Sequence, residues 1–348
     1  MKFCILVTEY TGCFYWRIRV PFLALAERGH QVRMSDGKVE VSSDEILVVQ
    51  RNALEVVLNG INTHRSFGGK VVFEIDDDLH ALPPSNPSQP FYRHGSYGLA
   101  MIEQQMRLAS MLIVSTPRLA ERYREFNPNI HVCYNAADPE DIAPYLADGE
   151  PEEDGTIRIG WGGSDTHIPD FSTIVEPLTK VMRERPQVRF VFIGGDMRNM
   201  FPSDVRTRMR HAGGTGGGSI KNPPSLGFMK LIAQQRLHIA IAPIAPLAFN
   251  ASKSWCKLVE FGALGIPLVA SRFGPYLEYG RNQPEEVVIL AEGRKEWERG
   301  LLRLIDSKEE RETLRRRNRL NVLAKHLSTQ RVVEWEKAFA TLEDPVLA

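Results

Sequence analysis

Short runs of β-branched and aliphatic residues alternate with longer stretches of helical period along almost the whole chain. In the first half these runs are FCILVT, EILVVQ, KVVFEID, MLIVST and IHVCYN. In the second half they are IRIGWGG, VRFVFIGG, LHIAIAPI, IPLVAS and EVVILAE. Each is strand-length, and a loop and a helix-like segment follow it, which is the pattern of parallel strands crossed by helices. RIRVPFLALAERGH has apolar residues at helical spacing and closes on Gly29, a helix stop ahead of a further strand, QVRM. The run count predicts an α/β fold class with two doubly wound, Rossmann-like domains.

The pattern breaks near residues 136–156, where ADPEDIAPYLADGEPEEDG is acidic, rich in Pro and Gly, and without apolar period. The expected organisation is therefore a first domain over 1–140, a linker over 141–156, a second domain over 157–306 and C-terminal helices over 307–348. The last stretch is heavily charged, with Trp335 and Phe339 four apart as a small apolar stripe, and is expected to pack back on the body. The tract Gly213–Ser219, GGTGGGS, reads as a mobile surface loop or an engineered replacement of one.

Composition narrows the function classes. The 348 residues include 43 basic and 43 acidic side chains, so no net charge favours non-specific binding to a polyanion. No apolar run approaches the length of about 18 residues that spans a membrane, and MKFCILVTEYTG lacks the basic start and small-residue cleavage site of a signal peptide. A cytoplasmic chain without stable membrane insertion is the expectation. Cys4, Cys13, Cys133 and Cys256 show no CxxC or Cys/His ligand spacing and read as free thiols, so no metal ligand set is expected from them.

In open α/β sheets ligands bind beyond the carboxyl ends of the strands. Four loops there carry candidate chemistry. Asn250–Ser271 is read as a helix beginning near Ser252, whose rotation of about 100° per residue places Lys253, Lys257 and Glu260 in one stripe. Ser252, Lys253 and Ser254 at its start suit a phosphate through free N–H groups and the helix dipole. The alternative for the stripe is a solvated face with a Lys257/Glu260 pair. In GWGGSDTHIPD, Gly162 and Gly163 allow close backbone approach to a ligand, while Ser164, Thr166 and His167 offer neutral donors; a capped glycine turn explains the same residues. Asp76, Asp77 and Asp78 close the run KVVFEI, and three adjacent carboxylates repel one another unless a cation, a basic partner or water relieves them. The fourth loop places Gly12 after the first strand and Arg17 at the start of the first helix, with Tyr15 and Trp16 open to sugar stacking or to the core.

The block Glu260, Ala263, Gly265, Pro267, Val269 and Ser271 resembles the donor-site helix of retaining GT-B glycosyltransferases, the group 1, family 4-like enzymes. Phe249–Lys257, FN-x-x-K-S-x-x-K, is similar to a subgroup found in bacteria and phages. The resemblance implies two Rossmann-like domains facing across a cleft and transfer of a sugar from a UDP- or GDP-sugar, with retention and without metal or other cofactor. It implies that Glu260 holds the donor ribose. The acceptor stays open: a glycan, a lipid-linked sugar, a protein or a modified DNA base. Two departures accompany it. Ser252 stands where the family's E-x7-E pattern has its first Glu, and the Arg and Lys that many members carry after the first strand of the second domain are missing. Lys253 and Lys257 are assigned the phosphate charge instead, with Gly163, Ser164, His167 and Ser254 beside them. Asp77 and Asp78 are assigned to the acceptor, with Gly12 and Arg17 on its side of the cleft. A D-x-D triplet also resembles the metal motif of single-domain GT-A enzymes, but the second Rossmann-like half argues against that architecture. A nucleotide-sugar epimerase of the same architecture and a sugar-nucleotide-binding protein without catalysis are the alternatives.

Overall fold

A computed structural model describes residues 1–36, 40–146, 151, 154–215, 219 and 224–343. Two all-parallel sheets organise it. The first contains β1 (Lys2–Val7), β2 (Gln31–Asp36), β3 (Ile46–Gln50), β4 (Val71–Ile75), β5 (Met111–Val114) and β6 (Ile130–Val132), in the order β2-β1-β3-β4-β5-β6. The second contains β7 (Ile157–Gly163), β8 (Val188–Gly194), β9 (Met209–His211), β10 (Ile239–Ala242), β11 (Leu268–Ser271) and β12 (Ile289–Ala291), in the order β12-β11-β10-β7-β8-β9. Helices cover both faces, so β3, β4, β5, β10 and β11 are buried at every position, which is why they read as unbroken apolar runs. The strand β9 was not apparent in the sequence, because MRH has no apolar run of its own and relies on its pairing with β8.

Topology fixes where ligands can sit. In the first sheet the strand order reverses between β1 and β3, and in the second between β7 and β10. The loops after β1, β3, β7 and β10 therefore open at the switch points where a crevice forms.

The first helical stretch runs through Gly12–Phe14, a π turn at Tyr15–Arg19 and Val20–Glu27. A π turn is an uncommon element found often at functional sites. Here it accompanies the burial of Tyr15, Trp16 and Arg17 together. The chain stops at Gly29 with φ 91°, a conformation that favours glycine and closes the helix as the sequence indicates.

One segment read as without regular structure is partly helical. Pro139–Leu146 forms a helix inside the segment read as a linker, held by bonds from Tyr15 and Arg19 to Asp141 at 2.8 and 2.7 Å. Residues 147–150 and 152–153 of that segment, and 216–218 of the glycine tract, lie outside the described residues.

The C-terminal helices join the two halves. Lys308–Lys325 packs on Cys256–Ala263, while Ser328–Glu343 returns to the first sheet and buries Trp335 and Phe339 against Phe22, with Phe339 also 4.6 Å from Phe3. The two chain crossings run side by side: Ala137 N–H donates to His326 O and Ser328 N–H donates to Ala137 O, each at 2.8 Å.

Candidate functional site

The loops after β1, β7 and β8 border an open cleft of about 430 Å³. Gly12 and Trp16 line it from the first half, while Gly163, Ser164, Asp165, Gly194, Gly195, Phe228 and Glu260 are among its walls from the second. Gly12 approaches Ser225 closely enough that a Cβ on it would lie 3.9 Å from the Ser225 hydroxyl. At Gly194 the backbone has φ 94°, and a Cβ there would fall 2.2 Å from Gly163 O, so this wall tolerates only glycine.

Glu260 and Lys257 sit on the helix Cys256–Ala263, which starts four residues later than the sequence suggested. Ala248–Ala251 forms a separate short helix, and Ser252 to Trp255 connect the two. Lys253 and Ser254 therefore precede the helix and do not supply its first N–H groups. Ser252 is 2 % exposed and its carbonyl accepts from Thr116 Oγ1 at 2.9 Å, so the position of the family's first Glu faces the domain seam.

Glu260 retains 8 % exposure and lines the cleft. Burial pushes its carboxyl upward, while Lys257 and the indole N–H of Trp16 favour the anion. Lys257 donates to Gly162 O and lies 5.6 Å from the Trp161 ring, which ties the helix to the end of β7. Burial lowers its pKa, Glu260 opposes that and Lys253 adds to it. Lys253 lies over the Phe249 ring at 4.8 Å. Its charge also stabilises the anion of Asp77 in the other domain.

His167 is held by a 2.7 Å contact from Nδ1 to Asp170 Oδ2. Asp170 is buried, and its Oδ1 accepts from the Ala245 N–H at 2.8 Å and from Asn250 Nδ2 at 2.6 Å. One carboxylate thus pins the loop after β7 to the loop after β10.

On the other side, Asp77 pairs with Arg51 Nη1 at 2.7 Å. Burial raises the Asp77 pKa, Asp76 adds to the rise, and Arg51 and Lys253 oppose it. Asp78 lies 3.5 Å from Arg122 Nε, beside Tyr123, and the structure does not bring it to Asp77's partners. Asp76 instead approaches the Cys13 thiol, and ligand atoms of Cys13, Asp76 and Asp77 lie within 4.8 Å of one another.

Arg17 does not reach the cleft. It is 0 % exposed, with Nε donating to Glu74 Oε1 at 2.6 Å and Nη1 to Asn135 Oδ1 at 2.8 Å, over the Trp335 ring at 5.2 Å. Asn135 Nδ2 donates to Ser254 Oγ at 2.7 Å, so Ser254 serves the junction between halves. Trp16, open to sugar stacking or to the core in the sequence, lines the cleft, while sequence reasoning passed over Asp170, Asn250 and Arg51, which hold the surrounding loops. Asp170 carried one signal, its place three residues after His167 in GWGGSDTHIPD; Arg51 carried none beyond following β3.

The sequence model of the family described as Glycosyl transferase-like matches residues 174–337, which include Lys253, Lys257 and Glu260. Of solved structures, HepE from Anabaena in complex with UDP superposes with a TM-score of 0.64 at 13 % identity, covering 98 % of this chain and 100 % of that one. The chain has the two-domain GT-B fold. Sucrose-phosphate synthase from Thermosynechococcus elongatus shares this fold with a TM-score of 0.66 at 14 % identity, over 99 % of this chain and 100 % of that one. Another neighbour, from E. coli and bound with UDP-2-fluoro glucose, has a TM-score of 0.55 at 13 % identity, over 87 % and 74 % of the chains. No curated protein sequence matches this chain. Among the described residues no helix is long and apolar enough to cross a membrane.

Proposed function

We propose that this chain transfers a glycosyl group from a UDP- or GDP-sugar to an acceptor hydroxyl, with retention and without a metal ion. The observation that carries the reading is the meeting of Glu260 and Gly163 with Gly12 and Trp16 around one cleft between the two halves, with Lys257 bonded to Gly162 O beside it. A carboxylate at the inner wall accepts two vicinal ribose hydroxyls, and buried Lys257 with Lys253 opposes the diphosphate charge. HepE and the E. coli neighbour carry UDP or a UDP-sugar in their structures, which supports the choice of donor class.

In this reading the glycosidic C1–O bond breaks with its electron pair passing to the β-phosphate oxygen. The acceptor oxygen bonds to C1 on the same face and releases its proton to the departing phosphate. Lys253, Lys257 and the glycine backbone at 162–163 stabilise the charge on that oxygen, which is the electrostatic term that dominates such transfers. Asp77, fixed by Arg51, orients the acceptor from the opposite wall. Asp78 is displaced toward Arg122 and takes no part at the reacting atoms. The acceptor class, whether glycan, lipid-linked sugar, protein or modified DNA base, is set by the first half.

Ser252 favours a second reading, a nucleotide-sugar-binding protein without turnover, because its burial leaves no acid near the sugar from that position. Incubation with UDP-glucose and GDP-glucose separates the two. Release of UDP or GDP, including slow hydrolysis without acceptor, supports transfer; saturable binding with no release supports the binding protein. Absence of binding to either nucleotide-sugar by calorimetry overturns both.

A further inference from the structure

We propose that His167, oriented by Asp170, takes up a proton when the nucleotide-sugar binds and so becomes the third cation on the donor diphosphate. This inference rests on the donor site proposed above.

The geometry starts with the 2.7 Å contact of His167 Nδ1 with Asp170 Oδ2. A carboxylate at Nδ1 fixes that nitrogen as the protonated one and leaves Nε2 as the variable site, the arrangement by which a buried aspartate supports an imidazolium when one forms. Asp170 is itself rigid, since its other oxygen accepts from the Ala245 N–H and from Asn250. The imidazole keeps 17 % of its side chain exposed and lies against Gly163, where a Cβ would meet its Cδ2 at 3.2 Å. Gly163 and Ser164 are walls of the cleft. His167 therefore stands directly behind the surface assigned to the phosphates.

Among the described residues, three charged groups act on it. Asp170 comes from its own loop, while Lys253 and Lys257 come from the segment that leads into the Cys256–Ala263 helix and from that helix. Without donor, burial and the two lysines hold the imidazole neutral, with its pKa pushed down to about 4 against the pull of Asp170. A diphosphate brings two negative charges between His167 and those lysines. It opposes both lysine charges and favours the imidazolium that Asp170 is placed to support. A chain that lacks fixed Arg and Lys after β7 thereby gains positive charge in that loop only while donor is bound. When C1–O cleavage moves an electron pair onto the β-phosphate oxygen, the imidazolium opposes the growing charge from behind Gly163, and the proton returns to solvent as the nucleotide leaves.

The test is calorimetric titration of UDP-glucose and GDP-glucose, whose diesterified diphosphates lack the second acid step that a phosphomonoester has near about pH 6. Each titration is run in two buffers of different ionisation enthalpy across a pH series. Expected is uptake of close to one proton and, between the free and bound pKa of His167, a fall in affinity of about tenfold per pH unit as pH rises. His167→Gln abolishes the uptake and flattens the profile. His167→Lys supplies a fixed charge, so it keeps tight binding but loses the uptake and the slope. Retention of proton uptake in both variants, or binding enthalpies independent of buffer in the unmodified protein, overturns the proposal. No binding of either nucleotide-sugar to the unmodified protein overturns the donor site on which it rests, which is a different outcome.

Discussion

Replacing Arg17 with Met tests whether this residue belongs to the core or to the acceptor. In the structure Arg17 and Glu74 are both fully buried and 2.6 Å apart, and Gln50 donates to the other Glu74 oxygen at 3.0 Å. Removing Arg17 leaves Glu74 in an apolar interior without a counter-charge and frees Cys133 O and Asn135 Oδ1. Breaking one partner of a buried pair costs about 3–5 kcal/mol. At roughly 3 °C per kcal/mol for domains of this order, Tm falls by about 10 °C. The second arm replaces both partners, Arg17→Met with Glu74→Leu; because no charge is then left buried, at least half of the loss is regained. The pH dependence carries the sign. Burial raises Glu74 from 4.5 to about 7, so the stability that its protonated form contributes is present below 4.5 and is lost as pH rises through 7. The deficit of Arg17→Met therefore shrinks in acid. Urea unfolding followed by fluorescence of Trp335, beside Arg17, reads all three arms. If Arg17→Met unfolds at the same urea concentration as the unmodified protein and loses only transfer to acceptor, the buried-pair account is wrong and Arg17 is an acceptor residue.

Glu260→Gln keeps the shape of the site but removes a charged acceptor from the ribose, and is expected to weaken UDP-glucose or GDP-glucose binding by about 2–3 kcal/mol, or 30- to 150-fold, by calorimetry; an unchanged Kd removes Glu260 from the site. Turnover is expected to persist in excess EDTA, because Lys253 and Lys257 oppose the diphosphate. Complete loss restored by Mn²⁺ would assign the Cys13, Asp76 and Asp77 cluster to a metal instead. Asp77→Asn is expected to slow transfer at least tenfold while donor affinity changes less than twofold, and normal transfer would make the Arg51–Asp77 pair a structural contact.

Much of the architecture was legible because parallel strands buried on both faces must be apolar throughout, and such runs stand out against helical periodicity. What failed had local causes. The strand β9 is three residues long and depends on a neighbour for its identity. The helix at Pro139–Leu146 is acidic, but its Ile142 is buried and Tyr15 and Arg19, more than a hundred residues away, hold it. At the site, Lys257 and Glu260 were readable as one helical stripe, since three residues separate them within a regular helix. Lys253 was not part of that helix, because the chain breaks between Ala251 and Cys256. Arg17 illustrates a different limit. A basic residue at a helix start beside a glycine loop gives no sign of whether it points to the cleft or the core. That depends on Glu74, which hides inside the apolar run VVFEI.

The same buried pair has a consequence for how the two halves act together. From Glu74 the polar chain continues through Arg17 to Asn135, and from Asn135 to Ser254, one residue before the N-cap of the helix that carries Lys257 and Glu260. Thr116 adds a second tie at Ser252. The donor helix is thus positioned from the first domain as well as from its own sheet. Asn135 lies next to the Ala136–Asp138 crossing between the halves, so its amide links that crossing to the start of the helix that carries Lys257. Substituting Ala for Asn135 removes these bonds, and the one from its Nδ2 to Cys256 Sγ, without adding a charge. Expected is a rise in KM for donor and a fall in kcat together, since a slack helix loses ground-state and transition-state contacts alike. Asn135→Asp, which keeps the acceptor for Arg17 but lacks the donor to Ser254, should show most of that defect. If the Asp variant is fully active, the link to Ser254 carries no positioning, and the donor helix is held by its own domain alone.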